Sequence, residues 1–317
     1  MKPAFALILV SLLPMLGMAE REVKQPHRGM VVFKLPEGRL GAEEVFLMAV
    51  TKNHVAYKFR AEDAQPDIKR REEIDSIFLY DPADYLQALD LYESGQYEEA
   101  MKAFVVVKER CTRLYPGIPN NPGVMSGFYE LECLRKLNHL EGLRRALQDF
   151  NQEALTSRVA LQQIELYELW DAIRAGRNQD ALVIADRYAG KRLPGDQRAQ
   201  VAYCRGRAME ELMYLDHRVL MAYQTAITAD AGASEQITRD AILRSLEILH
   251  GDEQAKDALR HFQQANGAEM ILGFTKVMEA AGLCAVYEDQ FGRVPAKYRH
   301  YLEFTPEKVA QRMEAAE

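Results

Sequence analysis

The sequence predicts a mostly helical protein in which helical hairpins follow a small β module. Leu, Ala, Glu, Gln and Arg dominate from residue 84 onward, a composition that favours helix. Val, Phe, Ile and Tyr are concentrated between residues 30 and 80, which favours strands. Between Asp84 and Phe104, two apolar stripes at helical spacing flank Gly95 and indicate two helices joined by a tight turn. Such a pair needs neighbours to bury both stripes.

Composition and charge are those of an ordinary soluble protein and disfavour nucleic acid as a partner. The chain has 317 residues, of which 48% are hydrophobic and 27% charged, as in ordinary soluble proteins. Its net charge of −7 argues against a general nucleic-acid binder, so no nucleic-acid partner is expected. The one dense basic run, Lys69–Arg71, precedes Glu72 and Glu73. We interpret it as a solvated loop, although such a run can also contact an anionic polymer.

Residues 1–19 have the pattern of a secretory signal peptide. Lys2 gives a positive start, residues 4–16 are an apolar run, and small residues precede Glu20. The run is shorter than the ~20 residues that a membrane-spanning helix needs, so we expect cleavage rather than anchoring. The short run is typical of bacterial signals. We therefore predict a periplasmic, or alternatively secreted, mature protein (20–317) without stable membrane insertion.

Residues 20–80 are predicted to form the β module. In His54–Arg60, apolar and polar residues alternate, which predicts a half-buried strand with Val55, Tyr57 and Phe59 facing inward. The other predicted strands are Met30–Phe33, Glu44–Thr51 and Ile74–Tyr80, whereas 64–71 is polar and predicted to be a loop. The strand order resembles the Sm/SH3-like β modules that precede helical repeats in some exported bacterial proteins. The resemblance implies a small curled sheet or barrel.

The first hairpin resembles a tetratricopeptide repeat. The matching residues are Ala88, Leu91, Gly95, Tyr97, Ala100 and Phe104. The hairpin departs from that pattern in lacking the early Trp and in having Thr112 where a closing Pro is common. The resemblance implies a TPR-like αα-hairpin solenoid over 81–265.

Four more hairpins are predicted to follow the first. Their turn residues continue from Gly95 at intervals of 43, 38, 37 and 38 residues and are Asn138, Gly176, Met213 and Gly251. Tetratricopeptide repeats step by about 34 residues. A generic αα-hairpin solenoid therefore stays open as the alternative, with the same stacking physics.

Residues 266–317 are predicted to be C-terminal capping helices. The predicted helices are 269–281, ended by Gly282, then 283–291, and a last one over 309–316. Repeat arrays need such caps to end without exposing apolar surface.

The resemblance also implies a partner-binding groove, because in tetratricopeptide arrays the first helix of each pair lines a groove for peptides. Carried over residue by residue, it assigns the groove to Tyr85, Tyr92, Phe128, Arg135, Trp170, Arg174, Tyr203 and Arg207. Alternatively, each of these belongs to the core. Arg174 and Arg207 best discriminate between the groove and the core, because burying an unpaired Arg is costly.

No motif for catalysis is visible, and no metal or cofactor is expected. P-loop, G-x-S-x-G, H-E-x-x-H and G-x-G-x-x-G patterns are lacking. His250 and His261 are separated by the predicted turn, which disfavours a metal pair. The acids at helical spacing are interpreted as a solvated helix face rather than a carboxylate site; they are Glu165, Glu168 and Asp171.

The four cysteines, Cys111, Cys133, Cys204 and Cys284, are irregularly spaced. Disulfides are allowed in an exported chain, and a Cys111–Cys133 bridge is conceivable. Cys133 and Cys204 lie in apolar helix stretches and are alternatively buried small residues.

Together these patterns favour an exported non-catalytic scaffold that binds a protein or peptide partner in the cell envelope. The alternative is a cell-wall-associated enzyme or glycan-binding protein built on a helical-repeat frame.

Overall fold

The computed structural model describes residues 27–111, 118–214, 217–230, 234–264 and 271–316. The predicted signal peptide, residues 1–19, lies outside them. The chain divides into two compact units between Tyr80 and Asp81. A mostly helical fold with a small β module before it is confirmed.

The first unit is a five-stranded antiparallel sheet with the order β4-β3-β2-β1-β5. Its strands are β1 His27–Lys34, β2 Leu40–Val50, β3 His54–Lys58, β4 Asp67–Arg70 and β5 Ile74–Leu79. The strand alternation puts Val31, Val45 and Leu47 in the core together with the predicted Val55 and Tyr57. Phe59, predicted to face inward, follows the end of β3 and is 48% exposed.

Strand β4 corrects the prediction of a loop over 64–71. It is an edge strand that pairs with β3, and all four of its residues are exposed. Because neither face of β4 is buried, no apolar alternation marks it in the sequence. The basic run at its end is solvated, with Lys69 near Glu73 at 3.6 Å and Arg70 near Glu72 at 3.4 Å.

The second unit contains twelve α-helices within the described residues. They are α1 Ala83–Glu93, α2 Tyr97–Cys111, α3 Pro122–Lys136, α4 Leu140–Asp149, α5 Arg158–Arg174, α6 Asn178–Tyr188, α7 Gly195–Glu211, α8 His217–Ala229, α9 Glu235–Gly251, α10 Glu253–Gln264, α11 Phe274–Phe291 and α12 Pro306–Ala316. Consecutive helices from α1 to α11 pack on one another. In addition, α1 contacts α3, α5 contacts α7, α7 contacts α9, and α9 contacts α11. None of the described helices is both long and apolar enough to cross a membrane.

Four helical hairpins turn through the same backbone motif at the predicted residues. Gly95, Asn138, Gly176 and Met213 have φ angles of 76°, 54°, 67° and 61°. In each turn the next residue donates its N–H to the carbonyl oxygen five residues before it. These bonds are Gln96 to Leu91 (2.9 Å), His139 to Leu134 (2.8 Å), Arg177 to Ala172 (2.9 Å) and Tyr214 to Met209 (2.9 Å). This is the Schellman C-cap, and its repetition shows that the hairpins share one geometry.

Small residues bring the paired helices close together. Ala88, Ala100 and Phe104 of the first hairpin are completely buried. In the fourth hairpin, a Cβ atom on Gly206 of α7 would lie 2.6 Å from the ring of Tyr223 of α8. Gly206 therefore permits a helix contact that a larger residue would prevent.

The C-terminal part differs from the prediction. Helix α11 continues through Gly282, which was expected to end a helix. Val277, Ala280, Cys284 and Tyr287 keep one buried stripe on both sides of that glycine, so packing favours continuity. A 3₁₀ helix, Ala296–Phe304, follows where no helix was predicted. Its buried residues recur every third position, as the 3₁₀ period requires, and are Tyr298, Tyr301 and Phe304.

Candidate functional site

The candidate site is the first-helix row, which we define as helices α1, α3, α5, α7 and α9. All eight predicted groove residues lie in it, two on each of α1, α3, α5 and α7. Burial divides them into two groups. Tyr85, Arg135, Trp170 and Tyr203 are buried, whereas the other four keep some exposure: Tyr92, Phe128, Arg174 and Arg207.

Arg135 belongs to a buried triad that joins α3 to α5. Its Nε atom donates to Glu132 Oε1 at 2.9 Å, and its Nη2 atom donates to Glu132 Oε2 at 2.7 Å. The Tyr167 hydroxyl donates to Glu132 Oε1 at 2.5 Å. The side chains of Arg135 and Glu132 are only 2% and 7% exposed. The bidentate geometry and the third hydrogen bond compensate for the burial of two charges.

The triad is electrostatically fixed in one protonation state. Burial alone would raise the pKa of Glu132, but the charge and hydrogen bonds of Arg135 outweigh burial and lower it. Burial would lower the pKa of Arg135, and Glu132 instead holds it above its ordinary value. Burial and then the charge of Glu132 raise the pKa of Tyr167. The triad therefore stays ionised as an ion pair near neutral pH, which suits a structural link rather than proton transfer.

An amide pair joins α5 to α7. Gln163 and Gln200 exchange two hydrogen bonds of 3.0 Å, and the indole Nε1 of Trp170 donates to Gln200 Oε1 at 3.0 Å. Trp170 is only 3% exposed. Its polar atom is thus already satisfied by the neighbouring hairpin, so it acts as a packing residue.

One position recurs in these links between hairpins. Glu132, Trp170 and Arg207 each lie six residues before the left-handed turn residue of their hairpin. Glu132 reaches Tyr167 of the next first helix, Trp170 reaches Gln200, and Arg207 lies 4.0 Å from Asp240. Because equivalent positions contact the following hairpin, the hairpins stack with a repeated register.

A third polar cluster, between α7 and α9, is more open. Arg244 donates from Nε to Asp240 Oδ2 at 2.8 Å and from Nη1 to Glu210 Oε2 at 3.0 Å. Arg207 Nη1 donates to the hydroxyl of Tyr203 at 3.1 Å, and that hydroxyl donates to Asp240. The side chains of Arg207, Arg244 and Asp240 are 23%, 26% and 36% exposed. We call these five residues the α7–α9 cluster.

Arg207 has spare hydrogen-bonding capacity. Among the described residues, its Nε atom is buried without a hydrogen-bond partner. Its guanidinium also lies 6.0 Å from the ring centre of Tyr203. Arg207 is thus incompletely paired at a buried atom, and its side chain is 23% exposed, whereas that of Arg135 is 2% exposed.

Tyr92 lies beside a lysine at the other end of the row. The Nζ atom of Lys136 is 5.5 Å from the ring centre of Tyr92 and 5.1 Å from that of Tyr97. Burial and the charge of Arg135 lower the pKa of Lys136, whereas the charges of Glu132 and then Asp196 act in the opposite direction. A cation held between two aromatic rings gives a second partly accessible element of the row.

Arg174 and Phe128 complete the predicted set. Arg174 Nη2 donates to Asp171 at 2.8 Å and Nη1 to Glu141 at 2.7 Å, so acids already neutralise it. Phe128 contacts Tyr129 with ring centres 5.6 Å apart and packs beside Val124. Neither side chain belongs to the α7–α9 cluster.

Four of the eight predicted groove residues are buried. Tyr85, Arg135, Trp170 and Tyr203 fill the interior between helices rather than facing an open groove, which is the core alternative that the sequence left open. Tyr85 packs edge-on against Phe104, with ring centres 6.1 Å apart. Aromatic rings and a paired Arg are buried here because neighbouring hairpins satisfy their polar atoms.

Sequence reasoning missed Lys136, Glu210, Asp240 and Arg244. Asp240 and Arg244 have the i, i+4 spacing of a helical ion pair, a signal that was present in the sequence. Glu210 carries no such local signal, because its partners lie on α8 and α9.

The acids on α5 do not converge as a catalytic pair. Asp171 is held by Arg174 and Arg177, each at 2.8 Å, and Glu168 lies 3.3 Å from Arg187. Burial would raise the pKa of Asp171, but hydrogen bonds and charge from Arg174 lower it. An ionised, paired carboxylate is unsuited to act as a general acid near neutral pH.

The cysteines and histidines form neither bridges nor metal clusters. All four cysteines are free and buried, so the conceivable Cys111–Cys133 bridge is not formed. Burial raises the pKa of Cys133 and Cys284 to about 12, which keeps both thiols protonated and unreactive. In the part of the chain that the structure describes, no three His, Cys, Asp or Glu side chains are grouped to hold a metal ion. His250 Nδ1 instead lies 3.2 Å from the hydroxyl of Tyr301.

Comparisons of the chain with protein-family models, curated proteins and solved structures find no match.

Proposed function

We propose that the chain is an exported, non-catalytic scaffold whose first-helix row binds a protein or peptide partner in the cell envelope. The observation that carries the proposal is the α7–α9 cluster, where Arg207 and Arg244 are partly exposed and Arg207 is incompletely paired. Arginine and tyrosine are the residue types that most often dominate protein interfaces. Export rests on the signal-peptide pattern of residues 1–19.

The repeated hairpin geometry supports a TPR-like solenoid as the frame. Four Schellman turns occur at corresponding positions. Each first helix contacts the next one, α3 and α5 doing so through the hydrogen bond from Tyr167 to Glu132. Stacked hairpins of this kind present one row of helices along a continuous face. The interval of about 38 residues between turns disfavours a strict tetratricopeptide array, whose repeats have about 34 residues.

The order of elements supports an SH3-like β module in front of the helices. Strand β5 returns to pair with β1 at the end of the sheet opposite β4, and the 3₁₀ turn Arg71–Glu73 precedes it.

A capture experiment with three variants tests the function. The mature chain, residues 20–317, is immobilised and exposed to native envelope extract, and bound proteins are identified by mass spectrometry. We expect Arg207→Ala to reduce recovery of a specific partner at least tenfold, because the partly exposed guanidinium is removed from the cluster. Arg174→Ala should reduce recovery less, because Glu141 and Asp171 already neutralise that side chain.

Arg187→Ala is the matched control. Arg187 is an exposed arginine paired with an acid, but it lies on α6, outside the first-helix row. It should leave recovery unchanged. Equal recovery by wild type and Arg207→Ala, with both folded by circular dichroism, would refute the assignment of binding to this face.

A further inference from the structure

A cavity of about 420 Å³ lies between α6, α7 and α8, on the other side of α7 from the α7–α9 cluster. Arg205 lines it and is two residues from both Tyr203 and Arg207. Two residues correspond to about 200° around an α-helix, so Arg205 leaves α7 on the opposite side. The cavity is therefore separate from the proposed partner surface, and nothing in the proposed function uses it.

The floor of the cavity is aliphatic. Leu193, Val201, Met209 and Met221 line it together with several alanines from all three helices. Its single aromatic residue, among the described lining residues, is Tyr188. Methionine side chains adapt to irregular apolar partners, so this lining suits a flexible hydrocarbon chain better than a flat ring system.

The remaining wall is cationic. Lys191, Arg198, Arg205 and Arg218 line the cavity, and none of the described lining residues is acidic. This contrasts with a chain whose net charge is −7. Four cations beside an apolar floor are complementary to an anion that carries an aliphatic chain.

Arg205 adds a second observation that points to a ligand. Its guanidinium lies 3.3 Å from Asp186, an exposed acid outside the lining. Within the described part of the chain, its Nε atom is buried and lacks a hydrogen-bond partner. A buried donor without a partner is unfavourable unless an acceptor reaches it. The side chain of Arg205 is 42% exposed, so an anion in the cavity can contact its guanidinium.

We infer that this cavity binds an amphipathic anion: a linear acyl or alkyl chain that ends in a carboxylate or phosphate. The chain lies on the aliphatic floor and the head group contacts Arg198 and Arg205. The volume is within the ~300–1,000 Å³ range of small-molecule sites in proteins. This inference does not depend on the first-helix row.

Titration calorimetry with three probes tests the inference. Residues 20–317 are titrated with dodecanoate and dodecyl phosphate, each below its micelle-forming concentration, and with dodecanol below its solubility limit. We expect at least one anion to bind in a one-to-one complex and dodecanol to bind at least tenfold more weakly. The tighter of the two anions identifies whether the site is built for carboxylate or phosphate. No binding of either anion, or equal binding of dodecanol, would overturn the inference.

Three variants locate the binding. Arg198→Gln/Arg205→Gln should weaken anion binding at least tenfold, whereas Arg192→Gln should not, because Arg192 is exposed and is not a lining residue. Ala189→Trp should abolish binding: Ala189 lines the cavity but is exposed, so the large ring obstructs the cavity without entering the core. Unchanged affinity in the double variant and in Ala189→Trp would overturn the inference.

Discussion

Two junctions of the first-helix row use similar ion pairs in different surroundings. At the α3–α5 junction, Arg135 and Glu132 are 2% and 7% exposed and are completed by Tyr167. At the α7–α9 junction, Arg244 and Asp240 are 26% and 36% exposed, and Arg207 beside them is incompletely paired. The first site therefore joins hairpins, whereas the second both joins hairpins and presents charge to solvent.

The comparison shows that residue type alone does not separate structural arginines from binding arginines. A buried guanidinium that is fully paired with internal partners has no donor available to a ligand. Its removal leaves the charge of its buried partner unpaired. Removing a partly exposed guanidinium costs little stability, because water then hydrogen-bonds to the groups that it leaves unpaired. Stability and binding should therefore respond in opposite ways at the two junctions.

The largest effect is expected from Arg135→Ala. It leaves the buried Glu132 carboxylate with Tyr167 as its remaining partner in the triad, and should lower the free energy of unfolding by about 3–5 kcal/mol. Urea unfolding monitored by circular dichroism measures this loss. Glu132→Leu/Arg135→Met removes both charges and should recover much of it. A double variant that is less stable than Arg135→Ala would show that the triad has another role.

The same triad predicts a pH dependence. The pKa of Glu132 is lowered from its ordinary value of 4.5, so its ionised form contributes stability above that value, and the contribution is lost as pH falls through the lowered folded pKa. The stability advantage of wild type over Glu132→Gln should be constant near neutral pH and shrink below pH 4.5. Urea unfolding of both proteins from pH 7 downward checks this, and an advantage that grows in acid would contradict it.

Gly206→Ala tests the close packing of α7 on α8. The added Cβ atom would lie 2.6 Å from the buried ring of Tyr223, and we expect a loss of about 1–3 kcal/mol. Gly282→Ala is the matched control in the interior of α11, because no atom lies within 4 Å of its added Cβ. The control should be neutral or stabilised by up to about 1 kcal/mol. Thermal melts of both variants measure the contrast, and equal shifts would argue against a tight α7–α8 contact.

Gly95→Ala tests the repeated turn. Gly95 has a φ of 76° and open space around it, so backbone strain is the only cost of an alanine there. We expect the free energy of unfolding to fall by about 1 kcal/mol. Gly251 also has open space around it but does not have a left-handed φ, so Gly251→Ala should leave the free energy of unfolding unchanged. Denaturant midpoints of the two variants provide the measurement. A loss at Gly251 as large as at Gly95 would mean that the strain argument is wrong.

The sequence predicted the hairpins well because their signals are local. Gly95, Gly176 and Asn138 favour the left-handed turn by their own chemistry, and apolar stripes mark the helices on either side. Met213 adopts the same turn without that preference. Its position was found from the spacing of the helices around it.

The features that could not be predicted from the sequence depend on contacts between residues that are distant along the chain. The burial of Arg135 requires Tyr167 on another helix, and the continuity of α11 through Gly282 is decided by packing on α9. Strand β4 is set by its pairing with β3 rather than by apolar alternation. No local pattern records these partners, so the buried and accessible members of the predicted groove could not be separated from the sequence.

The most direct test places Arg207→Ala beside Arg135→Ala in one urea series. After Arg207→Ala, Asp240 keeps its 2.8 Å hydrogen bond from Arg244, and Arg207 itself lies 4.0 Å from Asp240. We predict that Arg207→Ala lowers the free energy of unfolding by less than about 1 kcal/mol, as when one partner of an exposed ion pair is removed. Arg135→Ala should lower the free energy of unfolding several times more. Equal losses of unfolding free energy in the two variants would contradict the distinction between a structural α3–α5 junction and an accessible α7–α9 junction.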